Sequence, residues 1–332
     1  MKNVFKVTMA TILFLSLTGC GTASSDNTEE KTIHVTIVKQ MDHASLDEIA
    51  NAIAEELETI SEKDNVKISY GEIYSGQNDQ ATIRQITDQA VNEGADVIIP
   101  IATMAAQTAV TSAMGSDTKV VYAAVSDPDS AELTGLDNVT GTSDALNTET
   151  VFEMMKQANP DLKKVGLLYS LSEINSEKSI MEAKAYCEEN GIAYTEATGN
   201  TNDEVAAAAS TLISDSVDAV FTPTDNVVMA STGAIAPMFA ENRIPYYTGA
   251  DSFVRNGAFA TCGVNYTELG KQTADLAYQV VTKGFDDVDE FYLSDGGLVT
   301  VNSETADAVG IDPDTFISFG QVTTVKTEEN GK

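Results

Sequence analysis

Val97-Ile98-Ile99, then Met104 to Met114, then Val120-Val121-Tyr122-Ala123-Ala124-Val125 is the stretch that decides the fold class of this chain. The two apolar runs lack the polar alternation of a half-exposed strand, so they read as strands buried on both faces. The segment between them has the length and spacing of one helix. Strands of this kind, each separated by a helix, predict a parallel sheet covered on both sides. The rhythm extends outward. Upstream lie a β-branched run from Ile33 to Val38, then Leu46, Ile49, Ala50, Ile53 and Leu57 at helical period. A strand is expected over Val66 to Tyr74 and a helix through Ile83, Ile86, Ala90 and Val91.

Downstream, Asn138 to Asp144, with Gly141 among Thr and Ser, interrupts the pattern. It then restarts with strands at Val165 to Tyr169, Ala193 to Ala197, Ala219 to Thr222 and Pro245 to Thr248. Helices are expected over Ser179 to Glu189, Asp203 to Ile213 and Val227 to Ala240. A long helix, Leu269 to Thr282, and short strands near Phe291 and Leu298 finish the chain. Two successive runs of one βα rhythm predict an α/β protein of two Rossmann-like lobes with parallel sheets and a cleft between them.

The N-terminus carries Lys2 and Lys6, then the apolar run Val7 to Leu17, which has the form of an export signal and is short for a membrane span. Leu17-Thr18-Gly19-Cys20 resembles the lipobox of bacterial lipoproteins. That resemblance implies a signal peptide over 1–19 and lipidation of Cys20, such as diacylglycerol and palmitate would supply. Residues 20–31 then form a polar, flexible tether, and the protein is held at the extracytoplasmic face of the cell membrane by its lipid alone.

The chain of 332 residues has a formal net charge of -32, which repels nucleic acid and anionic headgroups and disfavours both as partners. The only histidines, His34 and His43, have no partner at ligand spacing, so neither a metal nor another cofactor is expected. Cys187 follows Ile180 and Ala183 at helical spacing and reads as a small core residue, while Cys262 lies in an apolar stretch.

In open parallel sheets, ligands sit beyond the carboxyl ends of the strands, where helix N-termini offer free amides. The residues there are Gln40, Met41, Asp42 and His43, then Tyr74, Gly76, Gln77 and Asn78, then Thr103 and Gln107, then Ser126 and Asp127. In the second run they are Ser172, Asn175 and Ser176, then Asp225 and Asn226, then Asp251, Ser252 and Phe253. Hydroxyls, amides and carboxylates dominate. No Gly-rich phosphate loop, nucleophile elbow or histidine beside a nucleophile appears, so the expectation is a receptor for a small polar solute, not an enzyme. The same residue types also make good helix caps and turns, a competing reading for each one singly.

Several blocks carry a family resemblance. They are Gln40 to Asp47, Ile101 to Gln107, Ala124 to Pro128, Asn138 to Asp144, Ser172 to Ser176, Thr222 to Asn226 and Gly263 to Gly270. In this order they resemble the substrate-binding lipoproteins of ABC transporters whose better-known members take up tryptophan or tyrosine. The resemblance implies a type I periplasmic-binding-protein fold, with lobe one at 32–141 plus 263–288 and lobe two at 142–262 plus 289–326. It implies a monomer that captures an aromatic L-amino acid and delivers it to an ABC permease and its ATPase. The implied ligand set is Gln40, Tyr74, Thr103, Gln107, Ser126, Asp127, Ser172, Asn175, Ser176, Asp225, Asn226 and Asp251. Within it, Thr103 and Ser126 at helix starts suit the ligand carboxylate, and Asp225, with Asp251 second, suits the ammonium. The segment Gly249 to Phe253 departs from the family pattern, which leaves its contacts open. A sugar, nucleoside or peptide ligand, or a surface adhesin or sensor role, remains as an alternative.

Overall fold

The computed structural model describes residues 32–293 and 297–328. The signal segment, Cys20 and the tether lie outside the described residues. Lobe one opens with strand β1 (Ile33–Lys39), helix α1 (Ala44–Asp64) and strands β2 (Ile68–Ser69) and β3 (Ile73–Ser75). It continues through α2 (Gln80–Asn92), β4 (Val97–Ile101), α3 (Thr103–Ala113), β5 (Lys119–Tyr122) and β6 (Val139–Ser143). Lobe two follows with α4 (Thr148–Ala158), β7 (Lys164–Tyr169), α5 (Ile174–Asn190), β8 (Ala193–Thr198), α6 (Asn202–Ser214) and β9 (Ala219–Thr222). Next come α7 (Asn226–Glu241), β10 (Tyr246–Ala250), α8 (Asp251–Arg255) and β11 (Ala260–Val264). The chain returns to lobe one with α9 (Tyr266–Lys283) and β12 (Tyr292–Leu293). It ends in lobe two with β13 (Leu298–Asn302), α10 (Ser303–Val309), a 3-10 helix (Pro313–Phe319) and β14 (Val322–Val325).

The first sheet runs β12-β6-β5-β4-β1-β2, with β3 also paired to β1, and all its pairs are parallel. The second runs β14-β13-β11-β10-β9-β7-β8, and only the β11–β13 pair is antiparallel. Every residue of β4 is buried, as its unbroken apolar run requires. Helices α1 and α9 cover one face of the first sheet and α2 and α3 the other; α6 with α7 and α4 with α5 do the same for the second. Helix α1 meets its sheet through Leu46, Ile49, Ile53 and Leu57, which recur at helical spacing on one face.

The lobe edges differ from those expected at 141/142 and 288/289. Strand β6 stays in the first sheet to Ser143, β11 stays in the second to Val264, and β12 pairs with β6 through Tyr292 and Thr142. The return segment is therefore 266–293. The expected interruption at Asn138 to Asp144 is itself a strand. Gly141 leaves no room for a Cβ against the Tyr122 ring and carbonyl, and the polar side chains find partners. The Thr142 hydroxyl bonds that of Thr273 at 2.8 Å, and Thr140 donates to the Asp289 carbonyl at 2.8 Å. The strand expected over Val66 to Tyr74 is divided into β2 and β3, because Gly71 turns the chain at φ 61°.

Candidate ligand-binding site

Strands β1, β4 and β5 of lobe one and β7, β9 and β10 of lobe two end at one cleft, and the residues that follow them line a cavity. From lobe one come His43, Ser45, Leu46, Ala102, Thr103, Ala124 and Ser126. From lobe two come Asn175, Thr224, Asp225, Asn226, Met229 and Phe253; the crossing segments add Asp144 and Tyr266. The space between these side chains is about 320 Å³, yet the centre of a water-sized sphere fits in only about 10 Å³ of it. The second figure is about the room of one water, so the lobes are drawn tightly together.

Local backbone geometry aims these residues. Ala102, at φ 76°, and Ala124, at φ 53°, hold left-handed conformations at the ends of β4 and β5. Such a conformation costs a non-glycine residue about 1–3 kcal/mol, and it concentrates at functional sites. Here it turns the chain so that Thr103 and Ser126 face the cleft. Helix α3 begins at Thr103 with no side-chain cap from Ala102. The Thr103 hydroxyl is buried and has no hydrogen-bond partner among the described residues. Gln40 Oε1 takes only the Met104 amide of the first turn, at 3.2 Å, and the remaining first-turn amides beside a free hydroxyl favour an anion.

Direct bonds join the lobes across the cleft. Gln40 Nε2 donates to Glu173 Oε1 at 2.9 Å, and His43 Nε2 meets Asn226 Oδ1 at 3.1 Å. The Ser45 and Ser252 hydroxyls lie 2.6 Å apart, and those of Ser126 and Thr224 lie 3.0 Å apart. At the rim, Lys178 Nζ is 3.7 Å from Asp127 Oδ2.

Three buried carboxylates set the electrostatics. Asp144 accepts from Ser126 Oγ at 2.8 Å and Tyr266 OH at 2.9 Å; burial raises its pKa, partly offset by these two bonds. Asp225 accepts from the Val228 and Ser170 amides at 2.9 and 2.7 Å and from Ser176 Oγ at 2.7 Å. Burial raises its pKa too. Glu173 is pushed up to about 7, first by burial and then by the nearby charge of Asp225. Burial conversely lowers His43 to about 4, which keeps its imidazole neutral. Among the described residues, no cluster of His, Cys, Asp and Glu is suited to a metal ion.

Of the residues picked from sequence, the fold brings Thr103, Ser126, Asn175, Asp225 and Asn226 to the cavity wall. Gln40 lies just behind it, on Glu173. Ser176 supports Asp225, Ser172 pairs with Ser170 at 2.7 Å, and Asp127 caps the turn at Ser130. Tyr74 packs on the face of the first sheet that α2 and α3 cover, and Gln107 donates to the Ala131 carbonyl at 3.1 Å. Asp251 starts α8 and bonds Arg255 at 3.2 Å. These last three stand away from the cavity wall. Asp144, Tyr266, Thr224 and Glu173 were not selected, although each falls within a block of the resemblance. Their signal was position on a crossing segment or next to a selected residue. His43 and Phe253, which belong to the strand-end set, also line the cavity.

The family model for ABC transporter substrate binding proteins matches residues 34–317. This chain belongs to that family. It is 30% identical over 348 residues to the tyrosine-binding protein of Clostridioides difficile (strain R20291), covering 100% of this chain and 98% of the relative. Among solved structures, it resembles a Streptococcus pneumonia ABC domain in complex with L-Trp at 27% identity and TM-score 0.79. It also resembles the ligand-free, open structure of CD0873, a substrate-binding protein with adhesive properties from Clostridium difficile, at 28% identity and TM-score 0.65. Both comparisons cover 89% of this chain and 100% of the other. The two-lobed type I periplasmic-binding-protein architecture is thus the fold of this chain.

Proposed function

We propose that this substrate-binding protein captures an aromatic L-amino acid, tyrosine or tryptophan first, outside the cytoplasm, and delivers it to an ABC permease and its ATPase. One observation carries the reading: a single cavity holds opposite receivers for the two charges of an α-amino acid. The α3 N-terminus and the free Thr103 hydroxyl suit the carboxylate. Asp144 suits the ammonium, because its oxygens take two hydrogens from the chain and keep capacity for another. Asp225, which the sequence suits to that role, already holds three hydrogens and acts as the cap of α7. Leu46, Met229 and Phe253 provide an apolar wall for a ring. The relatives that bind tyrosine and L-Trp support this ligand class.

Calorimetry across the twenty amino acids tests the reading, together with mass spectrometry of whatever leaves the unfolded protein. Asp144→Asn should lower affinity about tenfold to a hundredfold, the value of a buried charge-assisted bond. Thr103→Val should cost on the order of 1 kcal/mol, since the helix amides remain. Absence of heat with every amino acid, alongside tight binding of a sugar, overturns the assignment. Anchoring through Cys20 belongs to the same proposal, and Cys20→Ser should release the protein from the membrane.

A further inference from the structure

A chain of hydrogen bonds behind the cavity fixes which nitrogen of His43 carries its proton. The chain starts from a donor that cannot change, the Met104 backbone N–H, which gives its hydrogen to Gln40 Oε1 at 3.2 Å. The Gln40 amide is thereby oriented, and its Nε2 donates across the cleft to Glu173 Oε1 at 2.9 Å. The other oxygen, Glu173 Oε2, accepts from Asn226 Nδ2 at 2.6 Å. Asn226 Oδ1 is then left as an acceptor, and His43 Nε2 lies 3.1 Å from it. His43 must supply the hydrogen at Nε2. Because burial lowers the imidazole to about pKa 4, a second proton is absent near neutrality, and Nδ1 carries a lone pair. That Nδ1 is buried, has no partner among the described residues, and belongs to a side chain lining the cavity.

We propose that His43 Nδ1 is a specificity-determining acceptor, which reads an N–H or O–H donor of the bound amino acid. Gln40, Glu173 and Asn226 act as positioning residues that hold the required tautomer. A buried acceptor without a partner weakens any ligand that brings no hydrogen to it, so discrimination comes from the penalty as well as the bond. The inference rests on the amino-acid reading above. Two donors on such a ligand share the chemistry: the side-chain phenol O–H or indole N–H, and the α-ammonium.

The first measurement needs no ligand. The sequence has two histidines, His34 and His43, so their ring nitrogens give a readily assigned ¹⁵N spectrum. At pH 8, where Glu173, raised to about 7, is ionised and accepts on both oxygens, His43 should show a bare Nδ1 and a protonated Nε2. Glu173→Gln should reverse this. With Gln40 held by Met104, the new amide turns its NH₂ toward Asn226, which turns in response and donates to His43 Nε2. A protonated Nδ1 or an imidazolium in the wild type overturns the proposal; a turned Asn226 beside a protonated Glu173 would give the former.

The second measurement is calorimetry with L-tyrosine, L-phenylalanine and 3-(4-hydroxyphenyl)propionate on wild type, His43→Phe and His43→Asn. Loss of the acceptor in His43→Phe should weaken L-tyrosine about tenfold, and His43→Asn should restore part of it. If the phenol is the donor, L-phenylalanine will be indifferent to the change. If the ammonium is, both amino acids will weaken alike and the propionate will not. An affinity of folded His43→Phe within about twofold of wild type for each of the three overturns the proposal. Should the wild type bind no amino acid, the functional reading fails, and the ¹⁵N spectrum still decides the tautomer.

Discussion

Asp225 is 0% exposed, and its oxygens accept the Val228 amide on one side and the Ser170 amide and Ser176 hydroxyl on the other. An asparagine there can satisfy only one side with its oxygen, and its NH₂ would face donors on the other. Leaving a buried donor unpaired costs about 1–3 kcal/mol, so Asp225→Asn should lower the melting temperature of the ligand-free protein by several degrees. An unchanged melting temperature with weakened amino-acid binding would instead return Asp225 to the ammonium. Glu173 gives a second prediction, in pH. Its folded pKa of about 7 lies above the ordinary 4.5, so the closed, folded state binds more protons there than the unfolded chain. The stability tied to its neutral form is present at low pH and is lost as pH rises through about 7. His43, lowered from 6.5 to about 4, acts oppositely, and its contribution is lost as pH falls between those values. Above pH 6.5 only the Glu173 effect persists of these two. The melting temperature should therefore fall from pH 6.5 to 8, and Glu173→Gln should flatten that slope. Thr103 and Ser126 were legible from sequence because they follow β-branched strands, where chain direction alone places them at the cleft. Asp225 was legible as a site residue but not in its role. Its three donors come from Ser170, Ser176 and Val228, and no local pattern shows that they converge.

At the scale of elements, α1 and α9 pack closely although they come from opposite ends of the chain. A Cβ on Gly270 would lie 2.7 Å from Ala52 Cβ and 2.8 Å from the Ile49 carbonyl oxygen. The second neighbour is backbone and cannot rotate away. Gly270→Val should thus force the helices apart, at about 1–3 kcal/mol for overpacking, more than the fraction of a kcal/mol by which valine exceeds glycine in helix propensity. A urea midpoint within error of wild type would show that α9 shifts along α1 at no cost. The apolar strands β4, β7 and β9 could be read directly, since burial on both faces leaves a nearly unbroken hydrophobic run. Strand β6 could not. Its Val139-Thr140-Gly141-Thr142-Ser143 spells a turn by composition, and becomes a strand because Tyr122, Thr273 and Asp289 receive its glycine and hydroxyls. The pairing of β12 with that strand likewise depends on contacts between residues 149 positions apart, as in the Thr140–Asp289 bond, and no local pattern announces it.

Across the whole molecule, the lobes touch each other where a ligand would lie between them. The Ser126–Thr224 and His43–Asn226 bonds cross the cavity itself, while Ser45–Ser252 lies on its margin. An α-amino acid cannot enter a space that admits the centre of a water over only about 10 Å³. A closed form this tight admits the ligand only after the lobes part, so the apparent affinity falls by the fraction of molecules that are open. A reversible lock makes this measurable. The Ser45 and Ser252 hydroxyls lie 2.6 Å apart across the cleft, which makes this pair the place to introduce a disulfide. A Ser45→Cys/Ser252→Cys protein, with Cys20→Ser to remove the lipidation site, should cross-link on oxidation, since Cys187 and Cys262 are buried. Oxidised without ligand, it should neither bind L-tyrosine or L-tryptophan nor show the melting-temperature rise that ligand gives the reduced form. Oxidised with ligand present, it should retain that ligand through dialysis until a reductant is added. Equal binding by the oxidised and reduced proteins would mean that the cavity widens within the closed form, through side chains such as Met229 and Phe253 rather than by parting of the lobes.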